Sequence, residues 1–300
     1  MIPPTPPPLV SILVISWNTR SLLDECIHSV YSTAEGIPVE IIVIDNGSVD
    51  GSLDMVATKY PDVVLVQNHE NVGFARANNL AIPACLGQYV VLLNNDTIVL
   101  DGAFQLLLEF MEQHPGVGCA GPQLLNPDGS IQPSCLPFPS LWKSVWNYAL
   151  ARAGKSVKYV PPPGADHAIV DAVTGACLML RRQALSEVGL LDEGYFMYAE
   201  ETDWCYRARQ AGWPTAYYHP SKVIHLGGQT ASTQPVRFYV ERRYSRVRFF
   251  LKHHGLMSAR IADLTIRLSI LAHWMLASGE KRAHYGQILA YYNQRTEELF

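Results

Sequence analysis

The stretch Tyr89-Val90-Val91-Leu92-Leu93-Asn94-Asn95-Asp96 decides the fold. Its apolar part has the length and β-branched character of a strand buried on both faces. Three oxygen-donor side chains follow, the last a carboxylate. Open α/β sheets bind ligands where strands end in this way. An Asp at that place can hold a divalent cation against a phosphate. The plain alternative is an Asx turn, because Asn and Asp favour turns for backbone reasons.

Outward from this stretch, strand and helix patterns alternate. Residues 10–16, 39–44 and 63–67 read as further strands. Helical spacing runs through 21–31 (Leu22, Leu23, Cys26, Ile27, Val30), 52–60, 75–84 and 103–113 (Phe104, Leu107, Leu108, Met111). Strands separated by such helices predict an α/β fold with a mostly parallel, doubly wound sheet. The rhythm changes after residue 117. Gly, Pro and Asn dominate 116–140, an aromatic segment at 141–150 has helical spacing, and a Pro-Gly linker spans 161–164. A strand is expected near 176–180, a helix over 202–210, a strand over 213–218 and helices from 238 onward.

Composition narrows the class. The chain has 300 residues, is 48% apolar and carries a net charge of −4, enough for a sizeable core and against a general nucleic-acid binder. Its six cysteines form no CxxC pair and sit mostly among apolar residues. That pattern fits reduced thiols in the cytoplasm better than a disulfide framework or zinc site. Residues 1–8 are proline-rich, without the basic and apolar regions of a secretory signal, and read as an extended tail. No run reaches the ~18 apolar residues of a spanning helix.

Five further segments need weighing for chemistry. Gly116-Val117-Gly118-Cys119-Ala120-Gly121 matches GxGxxG, but a helix and His114-Pro115 precede it and Pro122 follows. It reads as a helix end and a glycine-bearing strand rather than a dinucleotide site. Asp45, closing the second strand, can accept a base N–H or a ribose hydroxyl, or simply cap the turn Asp45-Asn46-Gly47-Ser48. Gly73 opens a helix where close backbone approach, free N–H groups and the helix dipole favour phosphate, with Arg76 as a fixed charge. Glu200-Glu201-Thr202-Asp203 follows the aromatic run Tyr195-Phe196-Met197-Tyr198. A carboxylate beside such walls can serve as a general base, while Asp203 and Arg207 can pair at i,i+4. His225 closes Val223-Ile224 ahead of two glycines, as a satisfied structural imidazole or a metal ligand.

Taken in order, these segments resemble glycosyltransferase family 2, in its bacterial rhamnosyltransferase-like branch. The matching stretches are Val10 through Asn18, Ile44-Asp45-Asn46-Gly47-Ser48-Val49-Asp50-Gly51, Asn71-Val72-Gly73-Phe74-Ala75-Arg76-Ala77-Asn78-Asn79 and Leu92-Leu93-Asn94-Asn95-Asp96. Thr174-Gly175-Ala176-Cys177, Leu191-Asp192-Glu193, Met197 through Arg207 and His225 complete the set. The resemblance implies a GT-A fold and inverting transfer from a nucleoside diphosphate sugar, dTDP- or UDP-linked, to a glycan or lipid-linked acceptor. It implies nucleotide-sugar contacts from Ser16, Asn18, Asp45, Gly73, Arg76, Asn78 and Asn95. Asp96 and His225 would hold Mg²⁺ or Mn²⁺. Glu200 or Glu201 would be the base, with Glu200 preferred, and Gly175, Asp203 and Trp204 would lie on the acceptor side. The chain departs from the family's Asp-x-Asp with Asn94 and Asn95, and from its Glu-Asp pair with Glu201, so Asp96 is the only carboxylate expected on the ion.

On this basis residues 9–235 are expected to form the catalytic domain, divided at 121/122 into nucleotide-sugar and acceptor halves, with amphipathic helices over 236–300. Residues 237–260 carry seven Lys/Arg against one Glu, and Ile261, Leu264, Leu268, Leu271 and Met275 make an apolar stripe. A basic amphipathic segment fits an anionic membrane surface as well as packing on the catalytic domain. The expected location is the cytoplasm or the inner face of the plasma membrane. A non-catalytic sugar-nucleotide binder on the same fold and a sugar nucleotidyltransferase are the competing readings. The latter needs a glycine-rich basic loop that Ser16-Trp17-Asn18-Thr19-Arg20 lacks.

Overall fold

A computed structural model describes residues 7–34, 36–149, 157–162, 164–229 and 231–300. The tail expected at 1–8 lies outside them but for its last two residues, as do parts of the segments 141–150 and 161–164.

The strands are β1 (Val10–Ser16), β2 (Val39–Asn46), β3 (Val64–Asn68), β4 (Tyr89–Asn94), β5 (Thr97–Val99), β6 (Cys119–Leu125), β7 (Ile131–Gln132), β8 (Cys135–Leu136), β9 (His167–Val170), β10 (Ala172–Val173), β11 (Cys177–Arg181) and β12 (Thr215–His225). The helices are α1 (Arg20–Thr33), α2 (Ser52–Lys59), α3 (Phe74–Ala81), α4 (Ala103–Gln113), α5 (Leu141–Ala149), α6 (Arg182–Val188), α7 (Glu200–Gln210), α8 (Pro235–Leu276) and α9 (Gly279–Glu297). One large sheet runs β3-β2-β1-β4-β11-β6-β12-β5. The parallel order expected from the alternation holds through β3-β2-β1-β4. Beyond it, β11 enters antiparallel between β4 and β6, β12 lies parallel to β6, and β5 closes the edge antiparallel to β12.

Strand pleating divides the core. Ile12, Val14, Val91 and Leu93 face α1, α2 and α4 on one side. Leu13, Val90 and Leu92 face α3, α6 and α7 on the other. Both faces are covered, which explains why β1 and β4 are apolar almost without alternation. The register sets Ser16 beside Asp45 and Ile15 beside Asn94. The carboxyl ends of β1, β2 and β4 therefore finish along one rim, where β1 has neighbours leaving on both sides.

Strand β12 outruns its expected end at Tyr218. Its pairing with β6 shifts between Tyr218 and Lys222 and then resumes to Ile224. Pro220 lies in that irregularity, and prolines sit in strands at bulges. The continuation pairs His225 with Thr97. The segment 116–121 is a helix end followed by β6, so GxGxxG here is not a dinucleotide loop.

α8 and α9 form their own apolar cluster from Val240, Val247, Phe250, Ala259, Ala262, Ile266, Ile270, Ile288 and Tyr292. α8 is broken at Gly255, whose φ of +81° suits glycine. Its first half is fastened to the catalytic side by Ser245 Oγ donating to the Met197 carbonyl at 3.0 Å and by ion pairs to Asp192 and Asp203. Its second half leaves Met257, Ile261, Leu264, Leu268 and Met275 exposed, opposite the face that packs on α9. All six cysteines are buried and unpaired; burial pushes Cys26 and Cys135 up to about 12, which makes them unreactive.

Candidate active site

The strand-end rim carries most of the expected residues. Asp45 is buried, and its Oδ2 accepts from the Gly47 and Ser48 N–H groups at 3.0 and 2.9 Å. The Asx turn is therefore present, but it uses only one oxygen. Oδ1 is buried with no partner among the described residues. A buried carboxylate oxygen without a donor is costly, and a ligand N–H or hydroxyl would satisfy it. Asn18, at φ +53°, stitches two loops together: its N–H donates to Ser48 Oγ at 2.9 Å and its Oδ1 accepts from Val49 N–H at 2.8 Å. Ser16 is buried with Thr19 Oγ1 at 3.3 Å, and Asn95 Nδ2 also donates to Thr19.

Gly73 behaves differently from expectation. A Cβ there would stand 2.3 Å from the Phe196 carbonyl oxygen, so the close backbone approach is made by the chain itself. The Gly73 N–H donates to Asn71 Oδ1 at 3.0 Å and the Phe74 N–H to the Phe196 carbonyl at 2.8 Å. These two groups are not free for phosphate. The contact instead locks α3 to the loop ahead of α7. Arg76 is exposed. Asn78 is fully buried, with Nδ2 on the Phe74 carbonyl and Oδ1 unpartnered among the described residues. Asn79 clamps Leu191 through both its carbonyl and its N–H, at 2.8 and 3.1 Å.

Asp96 and His225 meet across the β5–β12 pairing, with Nε2 3.4 Å from Oδ1. His225 Nδ1 lies 2.7 Å from Gln132 Oε1. Gln132 Nε2 already donates to Asn126 Oδ1 and the His225 carbonyl, both at 2.9 Å. Its Oε1 must then accept, so Nδ1 carries a proton, and a ring protonated there alone turns its Nε2 lone pair toward Asp96. Two acceptors facing each other call for a cation between them, and a second hydrogen bond that fixes the tautomer is usual for a metal-bound histidine. The donor set fits Mg²⁺ or Mn²⁺. No cluster of three or more His, Cys, Asp or Glu occurs among the described residues, so further ligands would come from a substrate or water. Gln132 was hidden in a segment without a readable motif.

Glu200 and Glu201 open α7. Tyr198 and Ala199 before them both hold left-handed backbone, at φ +71° and +68°. Such conformations cost non-glycine residues about 1–2 kcal/mol each and cluster at functional sites. Both Glu side chains are buried with an unpartnered Oε2 among the described residues. Burial and then the neighbouring Glu201 charge push Glu200 well above the ordinary carboxylate range. Burial also raises Glu201, but backbone hydrogen bonds and the Lys158 ammonium pull it part of the way back. Gly175 lies beside Glu201, a Cβ added there standing 3.8 Å from the Glu201 Cβ. The next residue, Ala176, accepts the Asn94 N–H at 2.9 Å, which ties Glu201 to the end of β4.

Two acceptor-side expectations need correction. Asp203 is fully buried against α8, where Arg207 Nε and Lys252 Nζ stand at 2.9 Å and His253 Nε2 at 2.7 Å. Burial alone pushes it up, but His253, Lys252 and Arg207 outweigh burial and hold it at about 2. Trp204 is buried in the core, with Nε1 on the Gly189 carbonyl at 2.9 Å. The whole first turn of α7 is buried, and these two residues are taken up by partners within the scaffold.

The family profile for Glycosyl transferase family 2 matches residues 11–189. This chain belongs to that family. The match ends before α7, so the paired glutamates lie outside it. An N-acetylglucosaminyl-diphospho-decaprenol L-rhamnosyltransferase of Mycobacterium tuberculosis is 27% identical over 302 residues, covering 92% of this chain and 95% of the relative. Among solved structures, a mannosyltransferase from Pyrobaculum calidifontis in complex with GDP-Man and Mn²⁺ superposes with a TM-score of 0.57 at 19% identity, covering 98% of this chain and 84% of that one. GalNAc-T7 with UDP, GalNAc and Mn²⁺ gives a TM-score of 0.62 at 18% identity, covering 97% and 56%. The fold of this glycosyltransferase is thus GT-A.

Proposed function

We propose that this glycosyltransferase moves a sugar, with rhamnose as the leading donor, from a nucleoside diphosphate sugar to a hydroxyl of a lipid-linked glycan, with inversion. The observation that carries the reading is the Asp96–His225 pair at 3.4 Å, with the ring oriented by Gln132. The rhamnosyltransferase relative, similar over nearly its whole length, supports the sugar and the acceptor class. Residues 9–121 act as the nucleotide-sugar half and 122–235 as the acceptor half.

Asp45 Oδ1 accepts a base N–H or a ribose hydroxyl. Asp96 and His225 Nε2 would hold a divalent cation, which when bound would supply positive charge for the departing diphosphate. Glu201 takes the proton from the acceptor hydroxyl. The freed oxygen forms a bond to the anomeric carbon as the bond to the diphosphate oxygen breaks on the opposite face. We assign the base to Glu201 rather than Glu200, the residue the sequence preferred. Glu201 lies beside Gly175 and the end of β4 and is partly restored by Lys158, whereas Glu200 is raised further and is expected to hold the proton the buried pair shares.

The test is slow hydrolysis of nucleotide sugars with and without Mn²⁺. Asp96→Ala is expected to remove metal-dependent hydrolysis while the free protein binds Mn²⁺ only weakly. Tight Mn²⁺ binding to the ligand-free chain at Asp96, or hydrolysis unaffected by the substitution, would overturn the reading.

The same proposal sets the outer stripe of α8 on an anionic bilayer. Among the described residues no helix is long and apolar enough to cross a membrane. The stripe is exposed, and Arg260 and Arg282 are exposed close to it, Arg282 stacked over Trp274. Co-sedimentation with phosphatidylglycerol vesicles is expected, and Leu264→Ser with Leu268→Ser should abolish it. Equal binding by the double variant would remove the stripe from the membrane contact.

A further inference from the structure

Three arginines on α8 and α9 meet carboxylates. Arg248 pairs with Asp192, Arg267 with Asp263 and Arg295 with Glu241. Arg237 and Arg242, at the start of α8, do not. Among the described residues neither has a carboxylate within 4 Å. Each lies instead on an aromatic ring, Arg237 4.1 Å from the Phe196 centroid and Arg242 4.7 Å from that of Tyr198.

Those two rings belong to the loop that delivers the paired glutamates. Phe196 is locked to α3 through the Phe74 N–H, and Tyr198 is two residues before Glu200. Lys158 stands within electrostatic range of both Glu201 and Arg242. Through Lys158, the arginine side of this loop lies near the carboxylate pair. A guanidinium over a ring can still offer edge N–H donors to a planar or tetrahedral anion, although Arg237 Nη1 also donates to Gln234 Oε1 at 3.4 Å. The Arg237 Nε is buried with no acceptor among the described residues. Beside it opens a cavity of about 470 Å³ lined by Gln234, Pro235, Val236, Arg237, Gln287 and Tyr291. Its walls are mainly apolar, with the cation at one side.

We propose that Arg237 and Arg242, presented on the rings of Phe196 and Tyr198, bind a phosphate or diphosphate group carried by the acceptor, with the cavity beside Arg237 taking the apolar part of that molecule. This rests on the reading of Glu200–Glu201 as the base pair. The anion then anchors the acceptor while its hydroxyl lies over the glutamates, and the site is separate from the diphosphate station at Asp96. The chemistry is shared by a polyprenyl diphosphate acceptor and a soluble phosphorylated sugar.

Calorimetric titration of the full chain in EDTA with farnesyl diphosphate, inorganic pyrophosphate and farnesol tests it. Farnesyl diphosphate is expected to bind. Arg242→Ala and Arg237→Gln should each weaken it by about ten-fold, as for loss of one charge-assisted contact, and Arg242→Lys should restore part of the affinity. Asp96→Ala should leave it unchanged. Tighter binding of farnesyl diphosphate than of pyrophosphate assigns the lipid source, and equal binding the soluble one. Wild-type affinity in both arginine variants, equal affinity for farnesol, or loss of binding in Asp96→Ala alone overturns the proposal. Should Arg237→Gln fail to fold, the exposed Arg242→Glu decides, with melting temperature as the check. A wild-type chain that hydrolyses no nucleotide sugar defeats the functional reading, whereas the arginine variants decide the anion site independently.

Discussion

The first turn of α7 carries three buried carboxyl groups, and the fold keeps them in opposite states. Asp203 is ringed by Arg207, Lys252 and His253 and held at about 2. Glu200 and Glu201, three and two residues earlier, have unpartnered oxygens among the described residues and are raised by burial. All three enjoy the same helix dipole. The difference lies in what packs opposite: α8 brings Lys252 and His253 to Asp203, while each glutamate keeps an oxygen unpartnered among the described residues and Lys158 acts on Glu201. A charge given partners fastens the fold, and a charge denied them is kept ready for a proton.

The largest expected effect lies on the glutamate side. Glu201→Gln should lower transfer by about 10²–10⁴-fold, the range for loss of a general base, without lowering the melting temperature. If Glu200→Gln is the crippled variant and Glu201→Gln is active, the two residues exchange roles.

On the other side, Asp203→Asn should cost about 3 kcal/mol in urea unfolding, because it leaves buried cations uncompensated. The pH dependence has opposite signs for the two groups. Asp203 contributes about 2 kcal/mol above its unfolded value of 3.8, and this is lost as pH falls toward about 2. The raised glutamates stay protonated in the fold after the unfolded chain has ionised, so their contribution weakens stability as pH climbs above the ordinary 4.5. Asp203→Asn should erase the acid-side loss, and Glu200→Gln with Glu201→Gln the decline at higher pH. A double variant whose stability still falls in that second window would break the contrast.

The smallest expected effect is at Ala199, whose φ is +68°. Ala199→Gly should raise stability by about 1 kcal/mol by removing the left-handed penalty, part of it offset by the freer unfolded chain. It should also reduce transfer, because Ala199 sets the angle at which the glutamates enter. Unchanged turnover would mean the strained turn does not position them.

Legibility followed the range of the forces involved. Strands β1, β2 and β4 were readable because burial on both faces leaves an apolar run that needs no partner to be recognised. The second half was harder. β12 hides its length behind Pro220, and β7 to β10 are at most four residues long, too short for any period to show. Asp45, Asp96, Glu200, Glu201 and His225 stood out as chemistry-bearing residues next to apolar runs. Asp203 and Trp204 were misjudged because what encloses them comes from elsewhere, Lys252 and His253 of α8 for Asp203 and the Gly189 carbonyl for the Trp204 ring nitrogen.

The sequence by itself determined the strand–helix alternation, the polar strand ends and the glutamate pair, since local periodicity and residue chemistry are written in order along the chain. Only the tertiary structure decided that His225 meets Asp96, with Gln132 turning the ring, and that Gly73 makes room for the Phe196 carbonyl rather than for phosphate. It also decided that Asp203 belongs to the scaffold. Each of these depends on groups tens of residues apart being packed within about 4 Å, where electrostatics and sterics act strongly and where no local pattern records the neighbour.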